Sequence, residues 1–182
     1  MKKLSLIITL LLAVLLLQKC KKDTYTAYAA STNTMYAIIN DSTWSADTTQ
    51  AAITYNSAAK TKVFTCSGIA NNKEVTFSVN IPSSSNTPGF PLYTFNADSA
   101  NLHQFAFYTK GSGVFVEQGS VGAGSGTVMF TAIDSVKKVV TGTFSLVTRK
   151  YNYDGSGNLI SITINKVLDG AFNSMPYTFS SN

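Results

Sequence analysis

The sequence predicts an all-β fold, an antiparallel β-sandwich or flattened barrel of roughly 8–10 strands around one core. Apolar and polar residues alternate with a period of two in one segment after another, which sets one face of each strand on a core and the other in water. Clusters of Gly, Asn, Ser and Pro separate these runs at the spacing of turns. Beyond residue 19 no segment shows the 3.6-residue period of an amphipathic helix.

Residues 1–19 stand apart. Met1-Lys2-Lys3 precede an apolar run, Leu4 to Leu17, in which only Ser5 and Thr9 are polar. As a helix that run spans roughly 21 Å, short of a bilayer core of about 30 Å. Cations ahead of a short apolar stretch are the form of a removed export signal. Residues 20–33 hold Cys20 and then a small, polar, aperiodic stretch that reads as a flexible tether.

Residues 34–182 then form a single β domain, with strands expected near 35–39, 50–55, 62–70, 73–81, 104–109 and 126–133. Val75, Phe77, Val79 and Ile81 alternate with Thr76, Ser78 and Asn80, and Val140, Gly142, Phe144 and Leu146 with Thr141, Thr143 and Ser145. Ile160, Ile162 and Ile164 alternate with Ser161, Thr163 and Asn165, so these isoleucines are expected to face the core. A separate strand is expected near 169–173. Asn71-Asn72 supplies the positive φ angles of a tight hairpin, and the stretch from Tyr153 to Asn158 joins the last long strands. The stretch from Pro82 to Pro91, rich in Pro and Ser, is expected as a loop, and Gly119 to Gly126 as a flexible connection.

The composition fits a folded chain: of 182 residues 45% are hydrophobic and only 13% charged, which excludes disorder and coiled coil. The 163 residues after the signal are one domain's worth and bury roughly 70% of their unfolded surface, enough to close a core without metal or disulfide. Of 14 Lys and Arg, Lys2, Lys3 and Lys19 leave with the signal, so 11 stand against 9 acids and the net charge is +2. That balance offers no clustered basic face for nucleic acid, and Lys137-Lys138 and Arg149-Lys150 read as solvated strand ends. Apart from Cys20 the only cysteine is Cys66, read as a buried structural thiol with no disulfide partner.

Gln18-Lys19-Cys20-Lys21-Lys22-Asp23, directly after the apolar run, resembles a bacterial lipoprotein signal, and its Cys-Lys-Lys-Asp start is similar to small lipoproteins of Bacteroidota. The resemblance implies that the Cys20 thiol takes a diacylglycerol, that the preceding peptide is removed, and that the new amino terminus is acylated. Acyl chains bury methylenes at about 0.8 kcal/mol each, so the domain would be anchored at the outer membrane without a spanning helix. Lys19 stands where a small side chain is usual, an uncleaved anchor is an alternative, and Ala27-Tyr28-Ala29 offers an ordinary cleavage site. The weak acidity after Cys20 leaves open both the periplasmic and the surface face.

Further along, four segments resemble a Bacteroidota family of lipoprotein domains over about residues 34 to 177. They are Asn40-Asp41-Ser42-Thr43-Trp44, Gly126-Thr127-Val128, the run from Val140 to Leu146, and Ile162-Thr163-Ile164 through Gly170-Ala171-Phe172. This family has no assigned activity, so the resemblance implies a fold and no catalytic residues.

No chemical motif stands out. His103, the only histidine, lacks the spacing of a triad or a zinc site, and Glu74 and Glu117 do not declare a carboxylate pair. The Asp154 to Asn158 stretch starts like a calcium loop but has Leu159 and Asn165 where Gly and Glu belong, so a hairpin turn is the better reading. The Gly119 to Gly126 run lacks the lysine and the helix of a phosphate cradle. Trp44 is a possible ligand contact, stacking on a sugar ring, or a core plug. Asp followed by Ser or Thr and a small or aliphatic residue resembles the O-glycosylation acceptor of exported Bacteroidota proteins. Four of the seven Asp begin such a triplet, which puts the acceptor hydroxyls at Ser42, Thr48, Ser99 and Ser135. The same dipeptides also favour turns.

The expectation is therefore a lipid-anchored, non-enzymatic binding or envelope-structural module with no cofactor and no metal. Its partners would be the membrane, through the lipid on Cys20, and a glycan or protein of the envelope. Loops near 82–91 and 111–126 are the expected binding rim. A carrier of a small apolar ligand, with a barrel pocket lined by inward Phe and Val, and a hydrolase built on His103 are the alternatives.

Overall fold

The structure, a computed structural model, describes residues 34–98 and 100–182, except for the side chain of His103. The described residues form β-strands and no helix. In chain order they are β1 (Met35–Ile39), β2 (Ser42–Ser45), β3 (Thr48–Asn56), β4 (Thr61–Ala70), β5 (Lys73–Pro82) and β6 (Thr94–Asn96), followed by β7 (Leu102–Lys110), β8 (Phe115–Glu117), β9 (Ser120–Asp134), β10 (Val139–Tyr153), β11 (Leu159–Pro176) and β12 (Thr178–Ser181). The count exceeds the expected 8–10 because β2, β6, β8 and β12 are each four residues or fewer, too short to display a period.

Two six-stranded sheets pack as a sandwich, in the orders β2-β1-β11-β10-β9-β6 and β12-β3-β4-β5-β7-β8. Neither closes on itself, so the fold is the sandwich and not the barrel. The chain changes sheet at Tyr177, and β12 then runs parallel to β3, the departure from an otherwise antiparallel ladder. Turn chemistry sets the hairpins. Asn71 and Asn72 take φ of 49° and 59°, as the β4–β5 turn requires, and Asn40 and Asp41 do the same, at 49° and 64°, between β1 and β2.

The alternation in β4, β5, β9 and β10 sends aromatic rings between the sheets. Phe64 meets Phe130 edge-on at 4.9 Å, Phe77 lies 5.7 Å from Phe172, and Phe130 lies 5.8 Å from Phe172. Such pairs contribute about 0.5–1.5 kcal/mol each beyond the area they bury. Gly142 makes room for them: a Cβ there would run into the Phe172 ring and the Met129 carbonyl. Cys66 is buried in this core, its thiol against the sulfur of Met175 at 3.9 Å, and burial pushes its pKa far up, as expected of an inert thiol.

The loop between β5 and β6 is held down. Phe90 inserts into the core, the Lys62 ammonium donates to the Gly89 carbonyl at 2.8 Å, and the Tyr177 hydroxyl donates to the Pro88 carbonyl at 2.8 Å. Burial lowers the Lys62 pKa and raises that of Tyr177, the latter also under the charge of Asp134.

Three expectations are corrected around β9 and β11. Residues 120–126 belong to β9 and are not a flexible connection. The segment 169–173 is part of one 18-residue strand, β11, whose register with β10 slips by a residue near Ile160, near Asp169 and near Ser174, the last two at positive φ. Extra residues of this kind break the period of two, which hides the continuity from the sequence. Ile160, Ile162 and Ile164 do not face the core but are 66%, 46% and 51% exposed. Asn165 and Val167 turn to the core, so Ile162 and Ile164 share the outer face of the sheet with Lys166 and Leu168, in the part of β10 and β11 that outruns β1, which stops opposite Val167, and β9, which stops opposite Arg149. Alternation reports that a face is apolar, not that another sheet covers it.

Candidate functional site

Chain entry and the most elaborate surface lie at opposite ends of the first sheet. Thr34, ahead of β1, accepts from the Asn173 amide, and Met35 is level with Phe172 and, across β11, with Gly142. From Gly142 to Arg149 along β10 is about 23 Å at 3.3 Å per residue. At that far level β10 meets Ser120 and Val121 of β9, and beyond it Lys150–Tyr153 pairs with residues 159–163 as a free two-stranded ribbon.

The ribbon's base is tied by polar groups that alternation would have made apolar. The Thr148 hydroxyl donates to the Gln118 carbonyl, and the Asn165 amide donates to the same oxygen at 3.3 Å. The Asn165 side-chain oxygen accepts from Asn40 at 3.0 Å, and the Asn40 oxygen accepts the Lys166 amide at 2.8 Å. Thr148 is fully buried and Asn165 nearly so, and these bonds satisfy them. Gln118 lies where the chain leaves β8 in one sheet for β9 in the other. Next to it Gly119, at φ +89°, passes so close to the backbone of Arg149 that a Cβ would overlap it.

Beside this crossover a cleft of about 340 Å³ opens between the sheets. Gln104, Phe105 and Tyr108 of β7, Glu117 of β8, and Ser120 and Val121 of β9 line it. β7 and β8 bring Tyr108 and Glu117 directly opposite each other, and the Gln104 amide donates to the Tyr108 hydroxyl at 3.4 Å. The rim thus offers a carboxylate, an amide and hydroxyls around an aromatic and aliphatic floor. No motif marked this constellation, because its residues come from three strands; only the expectation of a rim near 111–126 touched it. The other expected rim, 82–91, is the loop pinned by Lys62 and Tyr177.

The remaining sequence candidates fall as follows. Trp44 is 3% exposed and donates its indole N–H to the Ala70 carbonyl at 3.2 Å; it is the core plug, with no free face for a sugar. Ser42, Thr48 and Ser135 are exposed, on β2, at the start of β3 and in the β9–β10 turn. Asp134 shapes that turn, its Oδ1 accepting the amides of Val136 at 3.0 Å and Lys137 at 2.8 Å. Ser99 and Cys20 lie outside the described residues. His103 falls in β7, next to Gln104. Asp154 is a turn residue: Oδ1 accepts from the Ser156 and Asn158 amides and Oδ2 from the Asn158 side chain, so its oxygens are engaged inside the hairpin. Among the described residues no three His, Cys, Asp or Glu side chains gather as a metal site.

The domain of unknown function DUF6252 matches residues 31–176. The chain belongs to the DUF6252 family. No curated protein and no solved structure matches it. The DUF6252 match takes in both sheets as far as the end of β11, with the cleft, the crossover and the ribbon inside it.

Proposed function

We infer that this DUF6252 protein is a lipid-anchored, non-enzymatic binding module of the bacterial outer membrane that holds a hydroxyl-rich envelope glycan in the cleft between β7, β8 and β9. The observation that carries the reading is the opposition along β10 and β11 of chain entry at Thr34 and the cleft at Ser120. A body held through residues ahead of Thr34 presents the cleft end outward. The lining suits a sugar, since Glu117, Gln104, Ser120 and the Tyr108 hydroxyl exchange hydrogen bonds with hydroxyl groups while Phe105 offers an apolar edge. The anchor itself rests on the sequence around Cys20, and exposed Ser42, Thr48 and Ser135 are sites for O-linked sugar.

One observation weighs against the carrier. A carrier needs a lumen, whereas the sheets stay open and Phe64, Phe77, Phe130 and Phe172 fill the space between them.

The reading is tested in the native envelope by palmitate labelling and by retention of envelope polysaccharide. The wild type is expected to carry label and fractionate with the outer membrane, and Cys20→Ser to lose both. Tyr108→Ala is expected to keep the label and lose polysaccharide retention. An unlabelled wild type overturns the anchor, and undiminished retention by Tyr108→Ala overturns the cleft.

A further inference from the structure

The charge of the cleft between β7, β8 and β9 has one sign, and it narrows the class of sugar that the cleft suits. The chain's two glutamates come from different strands into one cross-strand row: Glu74 of β5 is directly opposite Tyr108, and Tyr108 is directly opposite Glu117 of β8. Directly opposed residues share a face of the sheet. Val75 and Phe107, next to this row, are buried in the core, so Glu74, Tyr108 and Glu117 stand on the outside. The Gln118 amide donates to the Phe107 carbonyl, which makes Tyr108 and Glu117 a pair without mutual backbone bonds, the type whose side chains stand closest. Across the row the two glutamates are about 10 Å apart at Cα, with the phenol between them.

The ring is positioned by its own strand. Gln104 and Tyr108 flank Ala106 on one face, so the bond from the Gln104 amide to the Tyr108 hydroxyl lays the ring along β7 over that small residue. The hydroxyl accepts from Gln104 and keeps its own proton for a ligand oxygen. No cation of the chain answers the two carboxylates. Lys110, the next residue on this face, holds its ammonium over the Phe115 ring at 5.7 Å, and Lys73 alternates to the other face. Among the described residues neither glutamate side chain has a hydrogen-bond or ion-pair partner.

We propose that the cleft takes an amine-bearing sugar, with its ammonium over the Tyr108 ring between Glu74 and Glu117. This rests on the glycan reading above and adds the charge of the sugar. A carboxylate on each side and an aromatic face beneath are groups that attract an organic cation. The Tyr108 hydroxyl, Gln104 and Ser120 remain for the sugar's hydroxyls. An N-acetylated sugar brings no charge for the glutamates to hold, and a uronic acid brings one of their own sign. The preference is therefore electrostatic and narrows as salt is added.

The test titrates the full-length chain in detergent, by calorimetry, with tetrasaccharides of glucosamine, of N-acetylglucosamine and of a uronic acid. The glucosamine tetramer is expected to bind about tenfold more tightly than the acetylated one, and the uronic acid most weakly. Glu74→Gln and Glu117→Gln are each expected to lower affinity for the glucosamine tetramer by about fivefold and to leave the acetylated one unchanged, which a loss of folding does not produce. Equal affinity for the first two tetramers overturns the amine-bearing sugar and leaves the glycan reading standing, whereas binding of none of the three overturns both. The amine-bearing sugar is also overturned if Glu117→Gln weakens both tetramers alike, or if a lysine tripeptide binds as tightly as the glucosamine tetramer.

Discussion

Asp154 makes its own acid dependence. Its carboxylate accepts the Asn158 side chain first, then the Asn158 and Ser156 amides, and these bonds hold its pKa below the ordinary 3.8. A carboxyl depressed in the folded state adds stability that is present above the unfolded value and is lost as pH falls through the folded one. Asp154→Asn is therefore expected to lie below the wild type at neutral pH, with the gap closing as pH drops below about 4. Denaturation midpoints from neutral to acid pH check it, and a gap constant with pH contradicts it. At this scale the sequence was informative where side-chain chemistry is local. Asn71-Asn72 announced a turn, because a positive φ has few places to go, whereas Trp44 suited both a sugar contact and a plug until its burial and its bond to the Ala70 carbonyl decided for the plug. Thr148 and Asn165 were illegible, since what justifies burying them is the Gln118 carbonyl, far away along the chain.

Among the elements, the crossover from β8 to β9 combines a positive φ with a close backbone approach at Gly119. Gly119→Ala is expected to cost at least about 2 kcal/mol, while Gly155→Ala, with open space around its position, is expected to be close to neutral. Urea unfolding of both variants provides the comparison, and equal midpoints would count against the crossover's role. Because Glu117 and Ser120 lie within two residues of Gly119, the same variant is expected to distort the cleft. Long, evenly alternating strands such as β5 were read correctly from the period alone. β11 was divided because its register slips near Asp169 and Ser174 reset the phase, and Tyr108 and Glu117 came together only through the pairing of β7 with a three-residue strand.

Across the whole molecule, two sheets share one aromatic core, and the proposed export bears on the hydroxyls of its outside. Ser42, Thr48 and Ser135 are exposed, so sugar added there meets no packing conflict. Intact mass spectrometry of protein from its native envelope is expected to show hexose-sized increments that fall stepwise as Ser42, Thr48, Ser99 and Ser135 are replaced by Ala. A mass that matches the bare polypeptide plus lipid removes the glycosylation proposal. The antiparallel all-β class was legible because period-two patterning is a property of the chain as a whole, whereas the choice of sandwich over barrel needed the strand order. The ribbon was not, because period does not tell a covered apolar face from a bare one.

The placement of Thr34 and the ribbon at opposite ends of β11 also bears on mechanics. Tension applied between them runs along the strands, perpendicular to the bonds that join β1 to β11 and β11 to β10. Those bonds are then loaded together in shear instead of being unzipped one after another, so the body would transmit a tug from a bound partner to its attachment without coming apart.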